Sequence, residues 1–258
     1  MIGTVFAWLL DPAHWSGDDG IARRLVEHLQ YSLVALVVAA LVSVPLGLFV
    51  GHTGRGKFFV VSIAGAVRAI PTLGLLFLVV LWLGPKIHGD LAFTVPSLSV
   101  LVVLAIPPIL SGAYAGVDGV DPAARDAAKG MGMQGLQVLA KVEIPCALPL
   151  MFSGLRSAML QIVATATIAA TVSLGGLGRF LIDGLAVRNF PQMAAGAVLV
   201  AALALAVDLV FAVAQRLVVS PGLTGRYSRP ARPGGGRIRA AAGADSRAVA
   251  TSATRTGG

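Results

Sequence analysis

The segment Gly51–Phe58, GHTGRGKF, comes closest to a chemical motif in this chain. Its G-x4-G-K spacing is that of a loop whose backbone N–H groups cradle phosphates, followed by a Ser or Thr that holds magnesium. Phe58 stands where that hydroxyl must be, and an apolar run rather than a β-strand precedes it. The string therefore reads as a tight, basic turn. Cys146 is the one cysteine, which excludes an internal disulfide and any Cys-based metal cluster. His14, His28, His52 and His88 show no ligand spacing. No catalytic residue, metal site or cofactor is assigned.

The elements that would position any chemistry are set by composition. Hydrophobic residues make up 56% of the 258 residues and charged residues 12%, about half the charged share of a soluble domain. A mean hydropathy of +0.84 means that lipid is the solvent for most of the chain. Five apolar stretches reach the roughly 20 residues a membrane-crossing helix needs. They run from about Leu29 to Gly51, Phe58 to Gly84, Pro96 to Gly116, Cys146 to Ala170 and Phe190 to Gln215. No alternation of the kind a membrane β-strand needs is present, so the expected fold is all-α and integral to the membrane, with about five spans and six possible. Met1 to Leu10 is apolar but too short to cross, and is expected at the interface. The opening MIGTVFAWLLDP lacks a basic n-region and a cleavage site, so the first long apolar segment is expected to direct insertion. Residues 1–24 read as an N-terminal external segment and 25–217 as the membrane domain. Residues 218–258 are Gly-, Pro-, Ala- and Arg-rich and read as a disordered basic tail.

The net charge of +8 does not point to nucleic acid. Arg216, Arg226, Arg229, Arg232, Arg237, Arg239, Arg247 and Arg255 crowd the C-terminal end, and much of the remainder sits in short loops between apolar runs. That is the distribution of basic residues held on the cytoplasmic side. With the N-terminus outside, the turn at His52–Lys57, the loop from Val117 to Glu143 and the C-terminus all fall inside. Two charges lie within apolar runs. Arg68 interrupts the second, where Pro71 should kink the helix, so the pair reads as a pathway or gating element or as a snorkelling arginine. Asp208 lies in the fifth and reads as a partner for Arg156 or Arg68, or as a pathway or gating residue that attracts a cationic solute, with pairing the expected role. Gly112 and Gly116 form a G-x3-G pattern suited to close helix packing.

The longest polar interruption, residues 118–149, has a helical pattern. Asp121-Pro122 is an N-cap and first-turn pair, and Ala123, Ala124, Ala127 and Ala128 carry a helix that Gly130 and Gly132 end. A second short helix is expected from Gln134 to about Val142, broken by Pro145, where the fourth span begins. Within this loop (coupling segment 118–145) Asp126-Ala127-Ala128, three residues, Gly132, nine residues and then Val142-Glu143-Ile144-Pro145 follow one another. The pattern resembles the E-A-A-x3-G-x9-I-x-L-P loop of binding-protein-dependent ABC importer permeases, with Asp for Glu, Val for Ile and Ile for Leu. RAIPTLGLL (Arg68 to Leu76) and LGGLGRFLIDGL (Leu174 to Leu185) are similar to the matching stretches of osmoprotectant permeases for glycine betaine, choline, carnitine or proline.

The resemblance implies a type I importer permease whose loop seats in a cytoplasmic ATP-binding subunit. It implies that Asp126 makes a polar contact and that Ala127, Ala128 and Gly132 allow close approach. Val142, Ile144 and Pro145 complete the motif. The implied partners are that ATPase, a second permease subunit (identical or related), an extracytoplasmic solute-binding protein and the lipid membrane. Three other readings stay open: a permease for amino acids or another small solute, an ion-coupled secondary transporter using Asp208, and a non-transporting scaffold.

Overall fold

The structure is a computed structural model that describes residues 2–89 and 91–219, with the side chains of Ile2, Val61 and Arg68 outside the described part. The basic tail from residue 220 onward also lies outside the described residues. The described part is helical: α1 (Ile2–Leu10), α2 (Ile21–Thr53), α3 (Lys57–Ala69), α4 (Thr72–Leu83), α5 (Leu91–Asp118), α6 (Pro122–Gly130), α7 (Gly135–Val138), α8 (Ile144–Ala169), α9 (Gly178–Ala186) and α10 (Phe190–Val218). Among the described residues four helical stretches are long and apolar enough to cross a membrane, Ile21–Thr53, Leu91–Asp118, Gly135–Val172 and Phe190–Val218. A fifth candidate is the bent pair Lys57–Val67 and Thr72–Lys86, which turns through 92°. The bend has a local cause. Pro71 forces Ile70 out of the helical region (φ −75°, ψ 127°), and Pro71 itself becomes the N-cap of α4.

Two boundaries differ from expectation. The first span begins at Ile21, not near Leu29, because Arg23, Arg24 and Glu27 continue the helix as an ion-paired first turn. Pro145 does not break the chain. The carbonyl ladder widens just before it, where Leu139–Glu143 is π-helical and Ile144 N–H donates to Leu139 O. A wider turn accommodates a proline that would clash in a regular α-helix. The second short helix therefore merges into α8.

The centre is a packing of α2, α5 and α8 through small side chains. From Ser32 onward the buried face of α2 holds Ser32, Ala35, Ala39, Ser43, Gly47 and Gly51, with Leu36 and Val50 beside them. A Cβ on Gly47 would lie 2.6 Å from Ala113 Cβ, and one on Gly51 2.7 Å from Val117 Cβ. Across the other seam, a Cβ on Gly112 would lie 2.7 Å from Leu150 O, and one on Gly154 2.7 Å from Pro108 O. The Gly112/Gly116 pattern thus packs against α8, where Gly116 faces Ala147. In lipid such close approach does what hydrophobic collapse does in water.

Polar contacts fasten both ends. At one end Glu27 Oε2 accepts from Gly176 N–H (3.0 Å), while buried His28 places Nε2 3.2 Å from Val163 O. Gly176 sits at φ +87° directly against His28, so the Gly175-Gly176 turn is held on α2. Trp8 of α1 stacks on His14 and meets Phe180 of α9 edge-on at 5.5 Å. The other end gathers the C-termini of α2 and α5 with the N-terminal side of α8.

Gly154→Ala should lower the thermal unfolding midpoint in detergent by the equivalent of about 1–3 kcal/mol, the usual cost of overpacking. Gly65→Ala, at a position with open space around it, should be neutral or slightly stabilising. Equal effects in the two variants would contradict a close-packed seam.

Candidate functional site

The loop between α5 and α8 is built as expected at its start. Asp121 Oδ1 accepts from Ala123 N–H at 2.9 Å, with Pro122 in the first turn of α6. The helix ends at Gly130, and Gly132 adopts φ +85°, a conformation that side-chain-bearing residues rarely take. Within the chain nothing lies within 4 Å of a Cβ on Gly132, so the requirement the chain itself places there is the backbone conformation. Gln134 and Gln137 then form a capping box that starts α7.

The motif residues divide into two sets. Asp126, Ala127 and Gly132 are exposed, and Asp126 has no hydrogen-bond or ion-pair partner among the described residues. Ala128 is buried beneath them, while Val142, Ile144 and Pro145 are half-buried at the base of the projection. Met131 (72% exposed) and Leu136 (80% exposed) stand beside the exposed set. On the second helix Val138 is turned inward and Leu136 outward. Two large apolar side chains beside a small-residue helix and a free carboxylate make a surface suited to a protein partner.

A buried charge cluster, which the sequence did not disclose, holds this projection. Glu143 is 2% exposed in its side chain; its Oε2 lies 2.6 Å from His52 Nδ1 and its Oε1 2.8 Å from Arg125 Nε. Arg125 also donates through Nη2 to Val117 O at the end of α5. One carboxylate thus joins the C-terminus of α2, the α6 helix and the π-helical turn before α8. Beside it, Lys57 Nζ lies 2.6 Å from Asp118 Oδ1, and Tyr114 Oη donates to Asp118 Oδ2 at 3.3 Å. The Gly51–Phe58 string lies at this end as the turn between α2 and α3, with Gly54 and Gly56 both at positive φ. It follows a helix, so it lacks the strand that a phosphate loop requires.

The other two singled-out charges lie elsewhere. Arg156 and Asp208 join α8 to α10 through two contacts of 2.5 Å each, Nε to Oδ1 and Nη2 to Oδ2. Asp208 thus has Arg156 as its partner. Pro71 marks the bend between α3 and α4, while the side chain of Arg68 lies outside the described residues.

Glu143→Ala should leave Arg125 and His52 without their shared anion and loosen the projection by about 3 kcal/mol, at the low end for removing one partner of a buried ionic cluster. Limited proteolysis should then cut residues 118–143 faster than in the parent chain. Lys57→Ala, which removes a half-exposed pair, should leave the cleavage pattern unchanged.

Comparison with known proteins bears on the family and the fold. Residues 43–220 match the family model described as binding-protein-dependent transport system inner membrane component. The glycine betaine/carnitine/choline transport system permease protein OpuCB of Bacillus subtilis (strain 168) is 34% identical over 199 residues, covering 77% of this chain and 88% of that protein. The carnitine transport permease protein OpuCB of Listeria monocytogenes is 32% identical over 209 residues, 81% of this chain and 90% of that one. Among solved structures, an inward-facing MetNI methionine ABC transporter chain superposes with a TM-score of 0.67 at 20% identity, over 75% of this chain and 94% of that chain. An amino acid ABC transporter chain superposes with a TM-score of 0.58 at 20% identity, over 76% and 91%. The chain belongs to the inner-membrane-component family of binding-protein-dependent transport systems, and is a multi-pass protein of the bacterial inner membrane with the helical fold of type I ABC importer permeases.

Proposed function

We propose that this chain is the permease subunit of an ATP-driven importer for osmoprotectants of the glycine betaine, choline, carnitine or proline type. The observation that carries the coupling half of the reading is the projection between α5 and α8. It offers Asp126, Ala127, Met131 and Leu136 to a partner while Glu143 ties its base to His52 of α2 and to Arg125, which in turn donates to Val117 O of α5. ATP hydrolysis resides on a separate cytoplasmic subunit docked on that projection. Closure of two such subunits draws two projections together, and the spans rock between inward- and outward-open arrangements as rigid bodies. Two permease subunits, identical or related, enclose one pathway, and an extracytoplasmic binding protein delivers the solute. The substrate half rests on relatives whose names specify glycine betaine, carnitine and choline. Asp208, held bidentate by Arg156, is poorly placed to act as a free proton carrier, which disfavours an ion-coupled carrier.

Asp126→Arg combined with Leu136→Arg should leave insertion and thermal stability intact. Recovery of the ATPase with the affinity-purified chain should be lost, and ATP-driven uptake of labelled betaine should fall at least about tenfold, the equivalent of 1.4 kcal/mol of lost coupling. Unchanged uptake, or uptake that persists without the ATPase and collapses with the proton gradient, contradicts the reading. Competition by choline, carnitine, proline and methionine sorts the solute class.

We extend the proposal to Arg68 and Pro71 as a gating pair, because the sequence sets a basic residue three positions before the proline that bends this span. Arg68→Gln should reduce uptake while ATPase association stays normal. If uptake is unchanged, Arg68 has no part in the gate.

A further inference from the structure

The spans differ in what they expose. From Leu33 to Phe49 the exposed positions of α2 are all apolar, among them Val37, Leu41 and Leu46. The exposed positions of α10 between Ala197 and Val213 are likewise Ala, Val and Leu. These are hydrocarbon-facing surfaces. α8 is different. Its outward positions recur at helical spacing, and midway along they read Ser153, Ser157 and Ala164, with Gln161 half-exposed beside them.

Polar groups facing acyl chains must find partners within their own helix or lose several kcal/mol each. The threonines of α8 do so: Thr165 donates to Gln161 O and Thr167 to Val163 O. The Ser153 and Ser157 hydroxyls and the Gln161 amide have no such bond among the described residues.

A second observation is independent of that stripe. Arg156 flanks it and pairs with Asp208, yet the two side chains remain 37% and 28% exposed. Arg156 lies about 18 Å along α8 from Ile144 and Asp208 about 15 Å from Val218, at 1.5 Å per residue, so the pair sits near mid-span. An ion pair left partly open at that depth needs water or protein beside it, not lipid.

We propose that the exposed face of α8, centred on Ser153, Ser157 and Gln161 and flanked by the Arg156–Asp208 pair, is the wall of the water-filled solute pathway. The proposal rests on the importer reading and names the residues of this chain that serve it. The wall is polar without net charge, because Arg156 is neutralised by Asp208. A small cation or zwitterion therefore meets hydroxyl and amide groups with no opposing positive field. Scattered hydroxyl and amide contacts of this kind hold a solute weakly enough to release it.

The test uses the full chain with its ATPase subunit in liposomes, in a Cys146→Ser background. Single cysteines replace Ser157 and Gln161, with Val37→Cys and Leu205→Cys as hydrocarbon-facing controls. Each is exposed to a membrane-impermeant thiosulfonate bearing a trimethylammonium group, before and after trapping with ATP and vanadate. Thiols react as thiolates, which form in water and not in hydrocarbon, so positions 157 and 161 should react at least about tenfold faster than the controls. Their rates should also change on trapping. If they react no faster than the controls in both states, the proposal is overturned, whether a second copy packs dry on this face or lipid covers it. Disulfide formation between two copies at position 157 identifies the dry interface. Uptake that does not need the ATPase sinks the importer reading instead, and leaves the labelling result standing.

Discussion

Close backbone approach between α2, α5 and α8 is the constraint on which the remaining architecture depends. In a bilayer, burying a leucine against another helix gains little over leaving it in lipid, so association relies on packing at short range. Gly47 and Gly51 on α2, Gly112 and Gly116 on α5 and Gly154 on α8 remove the side chains that would hold the helices apart. That choice leaves the large apolar residues of α2 and α10 facing outward as a lipid-compatible surface. Glycines open the helix seams, while large side chains such as Leu101, Ile109, Met159 and Ile162 fill the core beside them.

The loop between α5 and α8 is held to this packed centre by charge rather than by close approach. The projection between α5 and α8 is fixed through Glu143, whose two oxygens face His52 and Arg125 on separate elements. Burial of this carboxylate is tolerable because both oxygens are occupied by cationic or polar partners. The π-helical turn adds to the effect, since it lets α7 run into α8 without a break at Pro145. The second helix of the projection and α8 thus form one continuous helical stretch, Gly135–Val172.

Polarity within the spans is placed with similar economy. His28 and Glu27 secure the outer turn around Gly176, and the Arg156–Asp208 pair joins α8 to α10 at mid-depth. The polar face of α8 lies next to that pair and apart from the apolar faces of α2 and α10. One helix thus carries the loop motif at its N-terminal side, the close-packed seam on one face and hydroxyl groups on another.

Much of this architecture was legible in the sequence, because some rules act locally. Bilayer thickness dictates the length of an apolar run, so four of the five apolar stretches correspond to single long helices and the second to the bent pair α3 and α4. The Asp121-Pro122 cap starts α6 through a hydrogen bond two residues away, and Pro71 breaks its helix by clashing with its immediate neighbour. The loop motif is likewise a matter of spacing along one segment. What depends on the meeting of distant segments stayed hidden. His52 and Glu143 are 91 residues apart, and no pattern along the chain marks them as partners. The fate of Pro145 turned on whether a π-helical turn could form before it, and the Arg156–Asp208 contact could have involved Arg68 instead. Which face of α8 stayed uncovered was also a tertiary outcome. Local sterics and helix length are properties of neighbouring residues, whereas charge pairing and exposure exist only once separate helices have packed side by side.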